Sequence, residues 1–235
     1  VNYAAKVLLC EKAEQLVESI KLNDAQEVAL ENIRKHLEQK STCLLHGITG
    51  SGKTEIYIKL IDEVLKQGKQ VLYLLPEIAL TSQIINRLRK YFGENVGVYH
   101  SRYNAHERIE IWNSVLNETD DEPTYKIILS ARSGIFLPFN HLGLIIVDEE
   151  HDTSYKQFDP APRYHARDAA MVLAQLHGAK VVLGSATPSV ESYFNGVSGK
   201  YGLVNLTKRF GEARLPEILI SDLKHETVAE VSVAP

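Results

Sequence analysis

Thr42-Cys43-Leu44-Leu45-His46, then Gly47-Ile48-Thr49-Gly50-Ser51-Gly52-Lys53-Thr54, then Ile56, Leu60, Ile61, Val64 and Leu65 at helical spacing form the stretch that decides the fold. The first run reads as a short buried strand. The last reads as an amphipathic helix from Lys53 to about Lys66, stopped by Gly68. The eight residues between fit G-x-x-x-x-G-K-[ST], and a strand before and a helix after are the setting that motif requires. Its glycines let the backbone turn so that successive N–H groups face one anion. The helix that starts at Gly52–Lys53 adds its positive end, worth up to ~2 kcal/mol. Gly47, Thr49, Gly50, Ser51 and Gly52 are therefore expected to cradle phosphates. Lys53 should reach the β- and γ-phosphates, and Thr54 should offer its hydroxyl to Mg²⁺. Nucleotide binding follows, but the motif alone does not separate a kinase, a GTPase, a recombinase and a helicase.

Outward from this stretch, apolar runs alternate with amphipathic ones. Residues 24–39 form a helix capped by Asn23 or Asp24, with Ala29, Leu30, Ile33 and Leu37 on one face. A strand at 71–75 ends at Pro76; a helix over about 81–92 and a strand at 96–99 follow. Asn104 and Glu107 resemble a capping box for a helix carrying Ile109, Trp112 and Leu116. Residues 117–123 are acidic and turn-forming. Strands are expected at 126–130, 143–147 and 179–184, with a helix at 166–177 whose buried face is Ala169, Val172, Leu173 and Leu176. Leu144-Ile145-Ile146-Val147 is apolar throughout, so both faces of its sheet are covered: a parallel α/β sheet. Ligands in such sheets bind beyond the carboxyl ends of the strands. Past residue 207 the pattern thins.

A chain of 235 residues accommodates one large domain. No apolar run approaches the ~20 residues of a membrane span, and the N-terminus has no signal-peptide pattern. Cys10 and Cys43 are far apart, which argues against a disulfide framework or a cysteine-rich zinc site and makes a reducing cytoplasm the default. The net charge of -4 supplies no general basic footprint, so any nucleic-acid role rests on local patches.

Asp148-Glu149-Glu150-His151 begins where the strand ending at Val147 stops. A carboxylate there can hold Mg²⁺ from the side opposite Thr54, the role expected of Asp148. Glu149 can orient and polarise the attacking water. Gly184-Ser185-Ala186-Thr187 ends another strand, and a hydrogen bond from His151 to Ser185 or Thr187 would link the nucleotide site to whatever contacts the rest of the sheet.

A phosphate loop, D-E-E-H and S-A-T in that order resemble the first motor lobe of a superfamily 2 helicase. Asp148 to Gln157, Arg163-Tyr164-His165-Ala166-Arg167-Asp168 and Leu75-Pro76-Glu77-Ile78-Ala79-Leu80-Thr81 narrow the resemblance to bacterial replication-restart helicases, over residues 22–225. It implies a RecA-like P-loop domain with a mainly parallel sheet covered by helices on both faces. Residues 1–21 would be a lead-in helix and 226–235 a linker. The implied cofactors are ATP and Mg²⁺, with Gln26 reading adenine. DNA contacts are implied for Pro76 and Thr81, and for Arg132 in Ser130-Ala131-Arg132-Ser133, where the first two residues depart from the family's Gly-Thr-Arg-Ser. They are also implied for Tyr155, Lys156, Phe158, Arg163, Tyr164 and Arg167, a loop whose rings could stack on bases at ~1–3 kcal/mol each. His100-Ser101 and Arg108 could add contacts.

The resemblance further implies 3′→5′ movement on forked and single-stranded DNA in the bacterial cytoplasm, with single-stranded DNA-binding protein and primosome components as partners and no membrane. A second lobe carrying arginine fingers, and zinc held only in that region, would lie outside this chain, leaving the isolated chain weak in nucleotide binding and hydrolysis. Two other readings stay open: another superfamily 2 translocase of branch-migration or restriction type, and a DNA- or partner-binding module with a vestigial nucleotide site.

Overall fold

The computed structural model describes Val17 and residues 20–79, 81–100, 103–116 and 125–208. The first helix, α1 (Asp24–Gln39), starts at a reciprocal cap: the Gln26 N–H donates to Asn23 Oδ1 and the Asn23 N–H donates to Gln26 Oε1, both at 2.9 Å. Then follow β1 (Thr42–Gly47), α2 (Lys53–Lys66), β2 (Gln70–Leu74), α3 (Ser82–Phe92), β3 (Val96–Tyr99), α4 (Ala105–Leu116), β4 (Ile127–Ser130) and β5 (Leu142–Asp148). The described chain closes with α5 (Ala166–His177), β6 (Lys180–Ser185), α6 (Val190–Val197) and β7 (Gly202–Leu206). The expected lead-in helix lies almost wholly outside the described residues, and the acidic segment at 117–123 and the linker at 226–235 lie wholly outside them.

The strands form one sheet in the order β3-β4-β2-β5-β6-β1-β7, with every pairing parallel. Two apolar layers sandwich it. Leu30, Ile33, Ile56, Ile61, Leu88 and Phe92 bring α1, α2 and α3 onto one face. Ile111, Val115, Ala166, Ala170 and Ala174 bring α4 and α5 onto the other. This is why the central strands are apolar on both faces.

The structure settles two helix faces and adds one strand. Helix α4 buries Ile111 and Val115 and leaves Ile109, Trp112 and Leu116 largely exposed. Helix α5 buries Ala166, Ala170 and Ala174, whereas Val172 and Leu176 are 58% and 78% exposed. Small side chains at i, i+4 and i+8 let a helix lie close over a sheet, so the seam follows the alanines rather than the bulkiest apolar residues. Strand β7, an edge strand beside β1, lies at 202–206, where the sequence reading placed no strand.

The sheet order positions the chemistry. Because β6 lies between β1 and β5, the register pairs His46 with Ser185 and Gly184 with Asp148. The phosphate loop, the S-A-T turn and the D-E-E-H turn therefore leave neighbouring strands at their carboxyl ends.

Candidate nucleotide site

The loop after β1 turns through Gly50 and Gly52, with φ of 77° and 81°, a left-handed geometry that glycine adopts without a Cβ penalty. Gly52 is the N-cap of α2, and no side chain caps that helix. Its first N–H groups therefore remain for an anion. Ser51 Oγ is buried without a hydrogen-bond partner. Lys53 is nearly buried; its Nζ donates to the Gly47 carbonyl at 3.0 Å and lies 3.7 Å from Glu149 Oε1. An uncapped helix start, an orphaned hydroxyl and an ammonium bridging the loop fit a phosphate chain.

Residues 48–55, Arg87, Asp148 and Glu149 line a cavity of about 370 Å³ beside the loop. Thr54 and Asp148 thus share one wall set, as holding Mg²⁺ between them requires. Asp148 is held on three sides by tyrosines. Tyr57 donates to Oδ1 and Tyr73 to Oδ2, each at 3.1 Å, and Tyr155 donates to the main-chain carbonyl at 2.6 Å. Burial raises the Asp148 pKa above the ordinary carboxylate value and the Glu149 charge adds to the rise; Lys53 and the tyrosine hydroxyls oppose it. Burial, reinforced by Asp148, also pushes the Tyr57 and Tyr73 hydroxyls well above their usual range and keeps them protonated donors. Glycine is required at 184 for the same reason: a Cβ there would stand 1.7 Å from Tyr57 Oη.

Glu149 sits at φ 48°, uncommon for a residue with a side chain. Such positions cost about 1–3 kcal/mol and persist where the surroundings over-determine them. Here the turn aims Glu149 at Lys53 while His151 turns toward β6. His151 Nδ1 is hydrogen-bonded to Ser185 Oγ at 2.8 Å, and its Nε2 lies 3.3 Å from Thr187 Oγ1. Ser185 Oγ also accepts from the Thr187 N–H at 3.0 Å. The three residues expected to couple the turns are thus in contact.

Gln26 is fully buried in the first turn of α1. Its Nε2 donates to the carbonyls of Ser51 (3.2 Å) and Gly52 (3.3 Å), so its amide braces the phosphate loop from α1. The approach depends on Gly52, where a Cβ would stand 2.1 Å from Gln26 Nε2.

The residues expected to meet DNA divide. Thr81 is exposed at the N-cap of α3 with no side-chain cap bond, whereas Pro76 is buried at the end of β2. Phe158 is 68% exposed and Arg163 is exposed. Lys156, whose Nζ donates to the Arg163 carbonyl at 2.7 Å, is half-buried. Tyr164 packs edge-on against Phe136 with ring centroids 5.0 Å apart. Arg132 donates to Gln157 Oε1 (2.8 Å) and to the Ser154 carbonyl (3.1 Å), clamping the loop's base.

Tyr155 and Arg167 are corrections. At 1% and 9% exposure neither can reach a base or a phosphate in this geometry. Tyr155 is consumed by Asp148. Arg167 donates from Nη1 to Glu150 Oε2 (3.0 Å) and Ser189 Oγ (2.7 Å), and from Nε to Asp168 Oδ1 (3.0 Å).

Glu150, given no role by the sequence reading, is completely buried. It accepts from Arg167, from the Ser189 N–H (2.7 Å) and hydroxyl (3.0 Å), and from Ser192 (2.8 Å). Removing one partner from such a buried pair costs about 3–5 kcal/mol. Tyr57, Tyr73 and Arg87 were likewise missed. Only their helical or strand phase, after the fold is known, brings Tyr57 and Tyr73 to Asp148 and Arg87 to the cavity.

Comparison with known proteins agrees with this geometry. The chain is 43% identical over 211 residues to the replication restart protein PriA of Bacillus subtilis, covering 89% of this chain and 26% of that protein. It is 45% identical over 207 residues to PriA of Chlamydia pneumoniae (87% and 27%) and 42% identical over 221 residues to PriA of Rickettsia felis (94% and 33%). The chain therefore spans roughly a quarter to a third of the length of these relatives. Among solved structures it resembles RecG bound to a three-way DNA junction, with a TM-score of 0.61 at 22% identity, covering 86% of this chain and 26% of that one. It also resembles a hypothetical ATP-dependent RNA helicase from Sulfolobus tokodaii, with a TM-score of 0.54 at 20% identity, covering 83% and 56%. These likenesses bear out the RecA-like fold. With residues 19–190 matching it, the chain belongs to the family described as type III restriction enzyme, res subunit.

Proposed function

We propose that the chain is the first ATP-binding motor lobe of an ATP-dependent DNA helicase that moves 3′→5′ and acts in replication restart at stalled forks. The observation that carries this reading is the meeting of Glu149 and Lys53, 3.7 Å apart, on the wall of one cavity with Thr54 and Asp148. Gly47 and Thr49 to Gly52 would hold the phosphates through their N–H groups, with Lys53 turning from the Gly47 carbonyl toward them. Thr54 and Asp148 would hold Mg²⁺, which when bound neutralises charge on the β- and γ-phosphates. Tyr57 and Tyr73 keep Asp148 oriented, and Glu149 would take a proton from the attacking water. Gln26 would read adenine by turning part of its amide away from the loop carbonyls.

Thr81, Arg132, Lys156, Phe158, Arg163 and Tyr164 would contact DNA, with His151, Ser185 and Thr187 relaying that contact to the hydrolytic turn. Similarity to replication restart proteins supports forked and single-stranded DNA as substrate, with single-stranded DNA-binding protein and primosome components as partners in the bacterial cytoplasm.

The test is Glu149→Gln in the intact protein. Affinity for Mg·ATP should be retained while hydrolysis falls by roughly 10²–10⁴-fold. Undiminished hydrolysis would show that the base lies elsewhere. A second reading, a translocase of branch-migration type, draws on the likeness to RecG on a three-way junction. Stronger ATPase stimulation by duplex than by forked or single-stranded DNA would favour it.

A further inference from the structure

Arg87 stands midway along α3, the helix whose N-cap is Thr81. Its guanidinium reaches away from the exposed face of that helix to Glu55, in the first turn of α2 and next to Thr54, and forms an ion pair with Glu55 Oε1. Arg87 lines the same cavity as the phosphate loop, Asp148 and Glu149. Its charge is felt at the Tyr73 hydroxyl, which holds Asp148 Oδ2. The phosphate-loop motif and the acidic motif account for every other charged residue on that wall except Glu55.

We propose that Arg87 is a ligand for the phosphate chain of the bound nucleotide, held beside the cavity by Glu55 and exchanged from carboxylate to phosphate when nucleotide enters. The inference rests on the nucleotide-binding reading of the cavity. Three physical points carry it. The cavity wall holds two cations, Lys53 and Arg87, and both are engaged by chain groups: Lys53 by the Gly47 carbonyl and Glu149, Arg87 by Glu55. An arriving polyphosphate must be met by exchanging partners. The Arg87–Glu55 pair is the easier to exchange, since the Arg87 side chain is 40% exposed against 10% for Lys53, and ion pairs this open are weakly held. A guanidinium fork also matches two phosphate oxygens at once, in shorter and stronger bonds than neutral donors make.

The exchange has a mechanical consequence. Helix α3 runs from Thr81, at the strand-end turn offered to DNA, to Arg87 at the nucleotide cavity. A pull on Arg87 by phosphate is therefore a pull on the helix that starts at Thr81. This route is separate from the one through His151 and Ser185.

The test is equilibrium titration of the intact protein with fluorescent ATP, ADP and AMP analogues in Mg²⁺, without turnover, comparing Arg87→Ala, Arg87→Lys, Glu55→Gln and Lys53→Ala. Arg87→Ala should weaken ATP and ADP binding roughly tenfold or more, the loss expected for a hydrogen-bonded charge, and AMP binding much less. Arg87→Lys should recover part of the loss, and Glu55→Gln should leave ATP binding as tight as in the wild type or tighter. Arg87→Ala and Glu55→Gln weakening all three nucleotides alike would make the pair a structural strut and overturn the proposal, as would ATP binding within twofold of wild type in Arg87→Ala. Lys53→Ala separates the two levels. If it weakens ATP binding while Arg87→Ala does not, only the role of Arg87 falls. If neither does, the nucleotide reading falls and takes this one with it.

Discussion

The Tyr155 hydroxyl donates to the main-chain carbonyl of Asp148 at 2.6 Å, across seven residues of chain. The aromatic loop is therefore fastened to the acidic turn from inside the protein, and the ring that fastens it is not one that can meet a base. Two neighbouring aromatics, Tyr155 and Phe158, have opposite environments and should behave oppositely.

Tyr155→Phe should lower stability by about 1 kcal/mol, the worth of one hydrogen bond, and reduce ATP turnover while leaving single-stranded DNA affinity within twofold. Phe158→Ala, on an exposed ring, should leave the melting midpoint unchanged but cost about 1–3 kcal/mol of single-stranded DNA affinity. Chemical denaturation and fluorescence anisotropy on the intact protein measure the two arms. Equal losses of DNA affinity in both variants would put Tyr155 back on the surface.

Gly184→Ala should displace Tyr57, since the added Cβ falls 1.7 Å from its hydroxyl oxygen. The expected cost is about 1–3 kcal/mol from overpacking, read as a lower urea midpoint. Tyr57→Phe removes the clashing oxygen and should rescue much of the loss, so the double variant is less destabilised than the sum of the singles. Strict additivity would mean the two positions do not touch.

Cys43 is buried in β1, and burial pushes its thiol up to about 12. The folded thiol thus ionises at higher pH than the unfolded one. This group contributes no penalty below the ordinary thiol range and destabilises the fold progressively as pH climbs from that range toward about 12. In a Cys10→Ser chain, alkylation by iodoacetamide at mildly alkaline pH should be slow until denaturant opens the fold, then rise with the unfolded fraction. Rapid native-state alkylation would show that β1 is accessible.

The sequence was most legible where a local rule fixes the backbone. The glycine spacing placed the loop and set helix α2 at Lys53–Lys66, and the Asn104–Glu107 box closes through two side-chain bonds of 2.9 and 3.0 Å. It was less legible where burial depends on distant partners. Nothing near Tyr155 or Arg167 in the chain announces that Asp148 and Glu150 will draw them inward. The seam of α5 follows Ala166, Ala170 and Ala174, which carry little hydrophobic signal beside Val172 and Leu176. Strand β7 escaped notice because the short run Gly202-Leu203-Val204-Asn205-Leu206 places an exposed Asn205 among its apolar residues.

The site itself followed the same division. His151, Ser185 and Thr187 come from two motifs at strand ends, and parallel pairing of β5 with β6 brings them together as those positions suggested. Gln26 proved to be a brace on the loop because α1 lays its capped first turn against Ser51 and Gly52, a contact across 25 residues that only the packed helix reveals.

The most direct measurement is DNA-stimulated ATP hydrolysis by the intact protein carrying Lys53→Ala, alongside its affinity for forked DNA. With Lys53 as the phosphate-loop cation, hydrolysis should be lost while fork affinity stays within about twofold, because Lys53 is nearly buried and engaged by the Gly47 carbonyl and Glu149. Hydrolysis persisting at the wild-type rate would contradict the assignment of this lobe as an ATP motor.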